Sequence, residues 1–402
     1  MKQAEYQISL FDGDHKLTID KPIRLIELFA GYGSQALALK YLGANFEHWK
    51  ICEWAVKSIQ AYKDLHFGDD NTDYSAAKTQ DEVIDYLYSK GISANYNEPM
   101  TIDQIKRLGE EKQRVIYNNL IATHNLVSVC NCHASDLEIS DTDKYTYIMT
   151  YSYPCQDCSS AGKRLGMEKG SGTRSSLLWE VERILDECNG KLPQILLMEN
   201  VPEVIGTNNS EHFSQWVAKL DSLGYKSKWE ILNAKDYGVP QNRARCFMVS
   251  WLGNYYYDFP KRVKLEKLLK DILETNVDKK YYLSFNMKKH IVSKDDKYRV
   301  SNGNLIVNRD IACSKTTREG CSRADTSDYI SPDLMPNENI ANKNTLNYRI
   351  RKLTPKECGR LMGVRDKDID TMAVNQSNSS QYHLYGDSIV VDVLMAIFRQ
   401  ML

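Results

Sequence analysis

Residues 23–43, Ile-Arg-Leu-Ile-Glu-Leu-Phe-Ala-Gly-Tyr-Gly-Ser-Gln-Ala-Leu-Ala-Leu-Lys-Tyr-Leu-Gly, decide the fold. Ile23 to Leu28 is mostly apolar, with a proline before it and a glycine turn after it. That is the pattern of a short strand buried in a parallel sheet. Leu37, Leu39 and Leu42 then recur at helical spacing, and Gly43 stops the run. The unit is strand, glycine turn, helix. Residues 49–52 read as a second strand ending in Glu53, and 55–62 as a second helix. This alternation predicts an α/β doubly wound, Rossmann-like sheet.

Residues 64–128 break the rhythm. They are polar, with helical patterns at 81–90 and 102–121, and read as a helical insertion. The strand pattern resumes at 127–132, ending at Asp136, and again at 147–151. Residues 175–188 form an amphipathic helical pattern. Residues 194–198 are a buried strand ending in Glu199, and 213–223 are helical. Residues 225–232 and 245–250 read as a β-pair flanking a loop. From residue 251 the character changes to short strands, long loops and many Lys, Asn and Tyr. Residues 251–350 hold 18 Lys and Arg against 13 Asp and Glu. In a chain of net charge −1, that local excess suits a separate domain facing a polyanion, although a solvated surface gives the same count.

The 402 residues suffice for a large core and two domains, and 42% hydrophobic with 26% charged residues describes an ordinary soluble protein. A net charge of −1 excludes a uniformly basic nucleic-acid coat but not a basic cleft. No stretch approaches the roughly 20 apolar residues of a membrane span. Residues 1–22 lack the apolar core of a secretory signal, so a cytoplasmic location is expected. Ten irregularly spaced cysteines do not form a disulfide framework. Cys155 with Cys158, and Cys130 with Cys132 and His133, are the two clusters to weigh for zinc. Four converging ligands are not evident, and no metal is expected.

Chemistry concentrates at strand ends. Tyr153-Pro154-Cys155-Gln156 puts a cysteine on a Pro-fixed turn after a strand, where a nucleophile can be held rigidly. A lone cysteine is more commonly a small buried hydrophobe, so the segment does not decide alone. A Gly/Ser-rich basic loop, 159–173, follows it. The turn Phe29-Ala30-Gly31-Tyr32-Gly33 lacks both G-x-G-x-x-G and a following Lys, so a nucleoside without phosphates fits better than a nucleotide. Glu53 stands where an acid binds ribose hydroxyls, and Asp136 can accept from an adenine amino group. Glu199, if buried, would have a raised pKa and could share a proton with a ring nitrogen, unless it is simply an acid at a helix start. Arg243 and Arg245, two apart, would share one face of a strand and could clamp a carbonyl, phosphate or carboxylate; a surface salt-bridge strand reads the same way.

In order, these motifs resemble the cytosine-C5 DNA methyltransferase family. Phe29-Ala30-Gly31-Tyr32-Gly33 resembles its cofactor motif, and Pro154-Cys155-Gln156 its catalytic motif. Glu199-Asn200-Val201 resembles its Glu-Asn-Val signature, and Gln241, Arg243 and Arg245 its Gln-x-Arg-x-Arg. Arg351 to Val364 resembles the late Arg-x-Leu-Thr-x-x-Glu segment, and Gly386-Asp387-Ser388 the final Gly-Asn-Ser motif. The likeness runs from about residue 23 to the end. It departs at Ser34, which replaces a second glycine, at Asp387, which replaces Asn, and in the long 64–128 segment. The Tyr-Ser-Tyr-Pro-Cys-Gln-Asp run looks most like prokaryotic restriction-modification or phage members.

The resemblance implies a catalytic domain over 1–250, a target-recognition domain over 251–348, and a segment, 349–402, returning to the catalytic domain. It implies sequence-specific methylation at C5 of a flipped-out cytosine. Cys155 would be the nucleophile, with Glu199, Arg243 and Arg245 around the base. S-adenosylmethionine would be held by Phe29, Ala30, Gly31, Gly33, Glu53, Asp136, Pro154, Asp387 and Ser388. Gln156, Ser159, Lys163, Arg164, Gln241, Arg309, Arg318 and Arg323 would contact DNA. The partner is double-stranded DNA, with a cognate endonuclease as a further candidate and a monomer as the expected state. A tRNA cytosine methyltransferase and an inactive DNA-binding relative are the alternatives.

Overall fold

The computed structural model describes residues 15–154, 174–292, 305–320, 327–340 and 347–402. Two compact units emerge, both discontinuous in sequence. The first draws on Met1–Leu232, Arg245–Pro260 and Leu394–Leu402, the second on Asn233–Ala244 and Lys261–Val393.

The first unit is built on a six-stranded sheet. Its strands are β1 (Ile23–Leu28), β2 (Phe46–Cys52), β3 (Thr146–Tyr151), β4 (Ile195–Asn200), β5 (Tyr225–Asn233) and β6 (Ala244–Leu252), in the order β2-β1-β3-β4-β6-β5. The run β2-β1-β3-β4 is parallel, and β6 lies antiparallel to β4. β3 and β4 are buried along their whole length. Burial on both faces is why these strands read as continuous apolar runs rather than alternating ones. The flanking helices are α1 (Ser34–Leu42), α2 (Val56–His66), α6 (Leu178–Glu187) and α7 (Ser210–Ser222). α6 turns Leu178, Trp179, Val181, Ile184 and Leu185 inward. Trp216 of α7 is fully buried, and its indole donates to the Tyr151 hydroxyl at 3.2 Å. The sequence expectation of an α/β doubly wound sheet holds.

The insertion is helical, with α3 (Gln80–Lys90), α4 (Ile102–Lys106) and α5 (Glu110–Ala122). Val83, Leu87, Ile105, Ile116 and Leu120 form a core there. The single helix expected over 102–121 is broken, because Gly109 takes φ 81° and restarts the chain as α5. The strand expected over 127–132 is absent. That stretch runs as turns into a 3-10 helix at Ala134–Leu137, and Asn125 alone bridges to Ile51.

A buried polar chain sits beneath the glycine turn. The Tyr62 hydroxyl donates to Glu27 Oε2 at 2.6 Å, and His48 Nδ1 lies 2.9 Å from that hydroxyl. The Ala36 amide, in the first turn of α1, donates to Glu27 Oε1 at 3.3 Å. Burial pushes the Glu27 carboxyl up to about 7, against the Tyr62 and Ala36 hydrogen bonds, which pull it down. Burial also pushes the His48 imidazole down to about 4.

In the second unit, short strands form a four-stranded sheet in the order Glu338–Asn339, Ile306–Val307, Tyr329–Ile330, Arg351–Lys352. Leu283, Ile291, Leu305, Val307, Tyr329, Ile340 and Ile350 pack as its core. The helices are α8 (Phe285–Val292), α9 (Pro355–Leu361), α10 (Asp366–Ala373) and α11 (Asn378–Gly386). α12 (Val391–Phe398) spans the boundary at Leu394.

The Arg-x-Leu-Thr-x-x-Glu run has a folding role. Thr354 caps α9, Pro355 occupies its first turn, and Glu357 closes a capping box. Arg351 reaches both Glu357 oxygens at 2.8 Å, with Arg351 4% and Glu357 0% exposed. Glu357 Oε1 also accepts from the Glu274 amide at 2.9 Å. Arg351→Ala leaves Glu357 buried without its fork, so urea unfolding is expected to show a loss of about 3–5 kcal/mol. A loss below about 1 kcal/mol would mean the pair is idle.

Glu27 gives a pH signature. Its native carboxyl holds the proton more tightly than the unfolded carboxyl, which titrates near 4.5. The linked stabilisation is therefore present below 4.5 and is lost as pH rises to about 7. Glu27→Gln has no such loss. Its stability relative to wild type is expected to improve by up to about 3 kcal/mol between pH 5 and pH 8. The measurement is urea unfolding at both pH values, and parallel wild-type and variant profiles would refute it.

Candidate active site

The glycine turn is held in a specific shape. Phe29 (φ 59°), Gly31 (φ 57°) and Gly33 (φ 82°) all lie in the left-handed region. Phe29 accepts that conformation at a cost of about 1–3 kcal/mol, offset by its surroundings. A Cβ on Gly31 would meet nothing within 4 Å, whereas one on Gly33 would run into the His66 ring and come within 2.7 Å of Tyr62 Cε2. Gly31 therefore faces open space and Gly33 faces packed rings. His66 Nε2 lies 3.0 Å from the Tyr32 carbonyl. A carbonyl only accepts, so Nε2 carries the hydrogen. Burial holds this imidazole neutral by pushing its pKa down. Ser34 is the first residue of α1. A helical position does not call for a second glycine.

Glu53 ties this turn to the next strand end. Its Oε2 accepts from the Gly31 amide at 2.8 Å and its Oε1 from the Ala55 amide at 2.7 Å. The side chain is 8% exposed. A carboxylate oxygen has two lone pairs, so a carboxylate is the kind of group that accepts from ligand hydroxyls. Asn125, which the sequence reading passed over, fixes the Glu53 backbone. Its Oδ1 accepts from Glu53 N at 3.1 Å and its Nδ2 donates to Glu53 O at 2.9 Å. Asp136 caps its own short helix, accepting from the His133 amide at 2.8 Å. Trp49 Nε1 donates to the Leu137 carbonyl at 2.8 Å. The first unit thus contains an open glycine turn and two carboxylates, Glu53 and Asp136. That donor set suits a nucleoside group such as that of S-adenosylmethionine.

The run leading to Cys155 is anchored from two sides. Asn200 Nδ2 donates to the Tyr153 carbonyl at 3.1 Å, and Ser175 Oγ to the Pro154 carbonyl at 2.9 Å. Cys155, Gln156, Ser159, Lys163 and Arg164 themselves lie outside the described residues, as does Arg323. Glu199, at the end of β4, is 8% exposed, and Arg245 Nε on β6 stands 3.1 Å from its Oε1. Register brings the two together, because β4 and β6 pair antiparallel with Asn200 opposite Cys246.

Three expected site residues are engaged within the second unit. Arg243 does not share a strand face with Arg245. The ladder is interrupted at residue 243, between Gln241–Asn242 and Ala244–Leu252. Arg243, 5% exposed, donates to the carbonyls of Lys315 (2.6 Å), Gly386 (3.2 Å) and Ser388 (2.7 Å) and to Ser314 Oγ (3.3 Å). These contacts join it to distant stretches of the second unit. Gln241, expected to contact DNA, is fully buried here. Its amide donates to the Leu361 carbonyl at 2.6 Å and accepts from the Lys315 amide at 2.8 Å. Arg309 pairs with buried Asp328 at 3.6 Å, while Asp328 also holds buried Lys315 at 2.6 Å. Arg309 is partly exposed, with its Nε beside Asp328, and Arg318 is exposed.

Gly386 is set by the same node. A Cβ there would collide with the backbone of Thr316 and Thr317. Asp387 is exposed, and Ser388 Oγ donates to the Ile389 carbonyl at 3.4 Å. His133 of the cysteine knot turns to Glu187 at 3.1 Å, with Cys130 exposed and Cys132 buried. Among the described residues no cluster of His, Cys, Asp and Glu could hold a metal, and no helix is long and apolar enough to cross a membrane.

Comparison with known proteins matches this architecture. A family model described as C-5 cytosine-specific DNA methylase matches residues 115–402. The Type II methyltransferase M2.ScrFI of Lactococcus lactis subsp. cremoris is 34% identical over 94% of this chain and 99% of its own. The orphan methyltransferase M.SssI of Spiroplasma monobiae is 34% identical over 94% and 96%. Among solved structures, the Entamoeba histolytica methyltransferase EhMeth superposes with a TM-score of 0.63 at 16% identity, covering 94% of this chain and 98% of that one. The S. pombe Dnmt2 methyltransferase gives 0.62 at 16% identity, over 94% and 97%. These two show the shared Rossmann-like fold. A family model spanning well over half of the sequence, and two relatives alike along nearly all of it, establish that the chain belongs to the C-5 cytosine-specific DNA methyltransferases.

Proposed function

We propose that this enzyme methylates C5 of a flipped-out cytosine at a specific site in double-stranded DNA, through a covalent bond between Cys155 and C6. The carrying observation is the Glu199–Arg245 pair at 3.1 Å on adjacent strands. It accompanies a Tyr153–Pro154 run anchored by Asn200 and Ser175. A buried carboxylate with a guanidinium is the donor and acceptor set that a cytosine edge requires. Glu199 accepts from the exocyclic amine and bonds N3, and Arg245 donates to O2.

Cytosine C5 is a weak nucleophile. Cys155 attacks C6 as the thiolate, making C5 enamine-like and able to form a new carbon–carbon bond. Glu199 and Arg245 stabilise the charge that moves into the ring. The C5 proton then leaves to a base, and the electron pair expels Cys155. S-adenosylmethionine, when bound, supplies an electrophilic methyl group. Glu53, Asp136 and the open face at Gly31 are the residues that would hold it, with Phe29, Ala30, Gly33, Pro154, Asp387 and Ser388 as further contacts. C6 and C5 are inaccessible in stacked DNA, so the base leaves the helix, and the 159–173 loop, with Lys163 and Arg164, contacts the backbone.

In this reading residues 1–250 carry catalysis, 251–348 recognise the target, and 349–402 return to the catalytic part. Arg318, exposed, and Arg309, partly exposed, are the described candidates for base contacts. The enzyme acts as a cytoplasmic monomer, with or without a cognate endonuclease.

Bisulfite sequencing of plasmid DNA from a methylation-deficient host tests the proposal. Protected cytosines at one recurring motif are expected with wild type and none with Cys155→Ala. Glu199→Gln is expected to lower kcat by about 10²–10⁴-fold. Absence of protection with soluble wild-type protein would overturn the DNA reading in favour of tRNA or an inactive binder. Arg243→Ala is expected to cost about 2–4 kcal/mol of stability in urea, since four acceptors lose a charged donor. Loss of DNA affinity at unchanged stability would instead make Arg243 a phosphate ligand.

A further inference from the structure

The segment carrying Asp136 lacks the strand ladder expected for it, so its backbone groups find partners elsewhere. Two of them are satisfied by one side chain of α6. Arg183 Nη2 donates to the Cys132 carbonyl at 2.8 Å and to the Val129 carbonyl at 3.1 Å. Its Nη1 donates to Glu187 Oε1 at 2.7 Å and its Nε to Glu180 Oε2 at 2.8 Å. Glu187, one helical turn along, completes the arrangement. Its Oε2 accepts from the Ala134 amide, at the start of the short helix that carries Asp136, at 3.1 Å. His133 Nδ1 lies 3.1 Å from the same oxygen.

We propose that Arg183 and Glu187 are positioning residues for cofactor binding, a clamp on α6 that sets the backbone of 129–137 and so the place of the Asp136 carboxylate. The idea rests on the reading above that Asp136 receives the cofactor's adenine.

The planar fork explains the residue choice. Arginine donates to two carbonyls and two carboxylates at fixed angles, which a lysine ammonium cannot do. Glu187 accepts from Arg183 on one oxygen and from Ala134 on the other, and a glutamine, with a single oxygen, keeps only one of those two contacts. The clamp acts on how well the cofactor binds and leaves Cys155, Glu199 and Arg245 untouched.

The test uses the full-length protein, calorimetric titration with S-adenosylmethionine, and steady-state kinetics on plasmid DNA. Arg183→Lys is expected to raise the S-adenosylmethionine Kd and KM by tenfold or more, with kcat at saturating cofactor within twofold of wild type. Glu187→Ala is expected to move the same constants in the same direction, and Glu187→Gln, which keeps one acceptor, to fall between Glu187→Ala and wild type. A folded Arg183→Lys protein with wild-type Kd would overturn the proposal. If that variant does not fold, Glu187→Ala decides, and a folded Glu187→Ala protein with wild-type Kd would overturn it. Asp136→Ala separates the two readings. If it weakens binding tenfold while the clamp variants do not, the clamp alone is wrong. If wild type itself does not bind S-adenosylmethionine, the methyltransferase chemistry falls and the clamp falls with it.

Discussion

The Glu53 carboxylate bridging the Gly31 and Ala55 amides is the constraint on which the first unit's chemistry depends. Parallel strands end on one edge of the sheet, where loops leave with unpaired backbone amides. One carboxylate satisfies an amide on each of two such loops. In doing so it fixes the left-handed turn 29–33 against the start of α2. Below it, Glu27, Tyr62 and His48 form a second polar layer, and His66 closes on the Tyr32 carbonyl. The turn is thus set from beneath by groups that never need to touch a ligand, which leaves the Gly31 side open.

The second unit solves a different problem. Its strands are only two residues long, too short for a ladder to fix the chain. Buried charge supplies the order instead. Lys315 joins Asp328 and Glu319, Arg351 forks onto Glu357, and Arg243 collects the carbonyls of 315, 386 and 388. Such pairs are costly to desolvate and contribute little net stability over a packed apolar core. Their geometry, however, is demanding, and it dictates which loop lies beside which.

The sheet, its strand ends and the flanking helices were legible in the sequence because full burial writes itself as apolar runs with glycine stops. Glu53 and Glu199 stand where the sequence places them, as acids closing strands. The stretch 127–136 was misread because Val127, Val129 and Cys132 are apolar at strand-like spacing. Val127 is buried in the core of the helical insertion, whereas Val129 and Cys132 pack in the core that α6 shares, and the carbonyls of those two go to Arg183. Sequence spacing carries no sign of a hydrogen bond made by a helix 50 residues later. Gly109 shows the opposite failure, a helical pattern overruled by one residue with positive φ. Asn125 gave no signal at all, since its worth lies in a backbone contact with Glu53, 72 residues away.

The two arginines of the Gln-x-Arg-x-Arg run show how adjacent motif residues divide their labour. Period two predicts one shared face, yet a single break in the ladder at residue 243 separates them. Arg245 remains on β6, where pairing with β4 brings it to Glu199. Arg243 and Gln241 turn to the Ser314 hydroxyl and to backbone groups of 315, 361, 386 and 388. One half of the run therefore faces the proposed chemistry, and the other half ties together three distant stretches of the second unit. The Gly386 position follows from the same tie, because Thr316 and Thr317 leave no room for a Cβ. A spacing motif that looks like one binding clamp is thus two devices joined at a strand break, and replacing either arginine tests a different property of the enzyme.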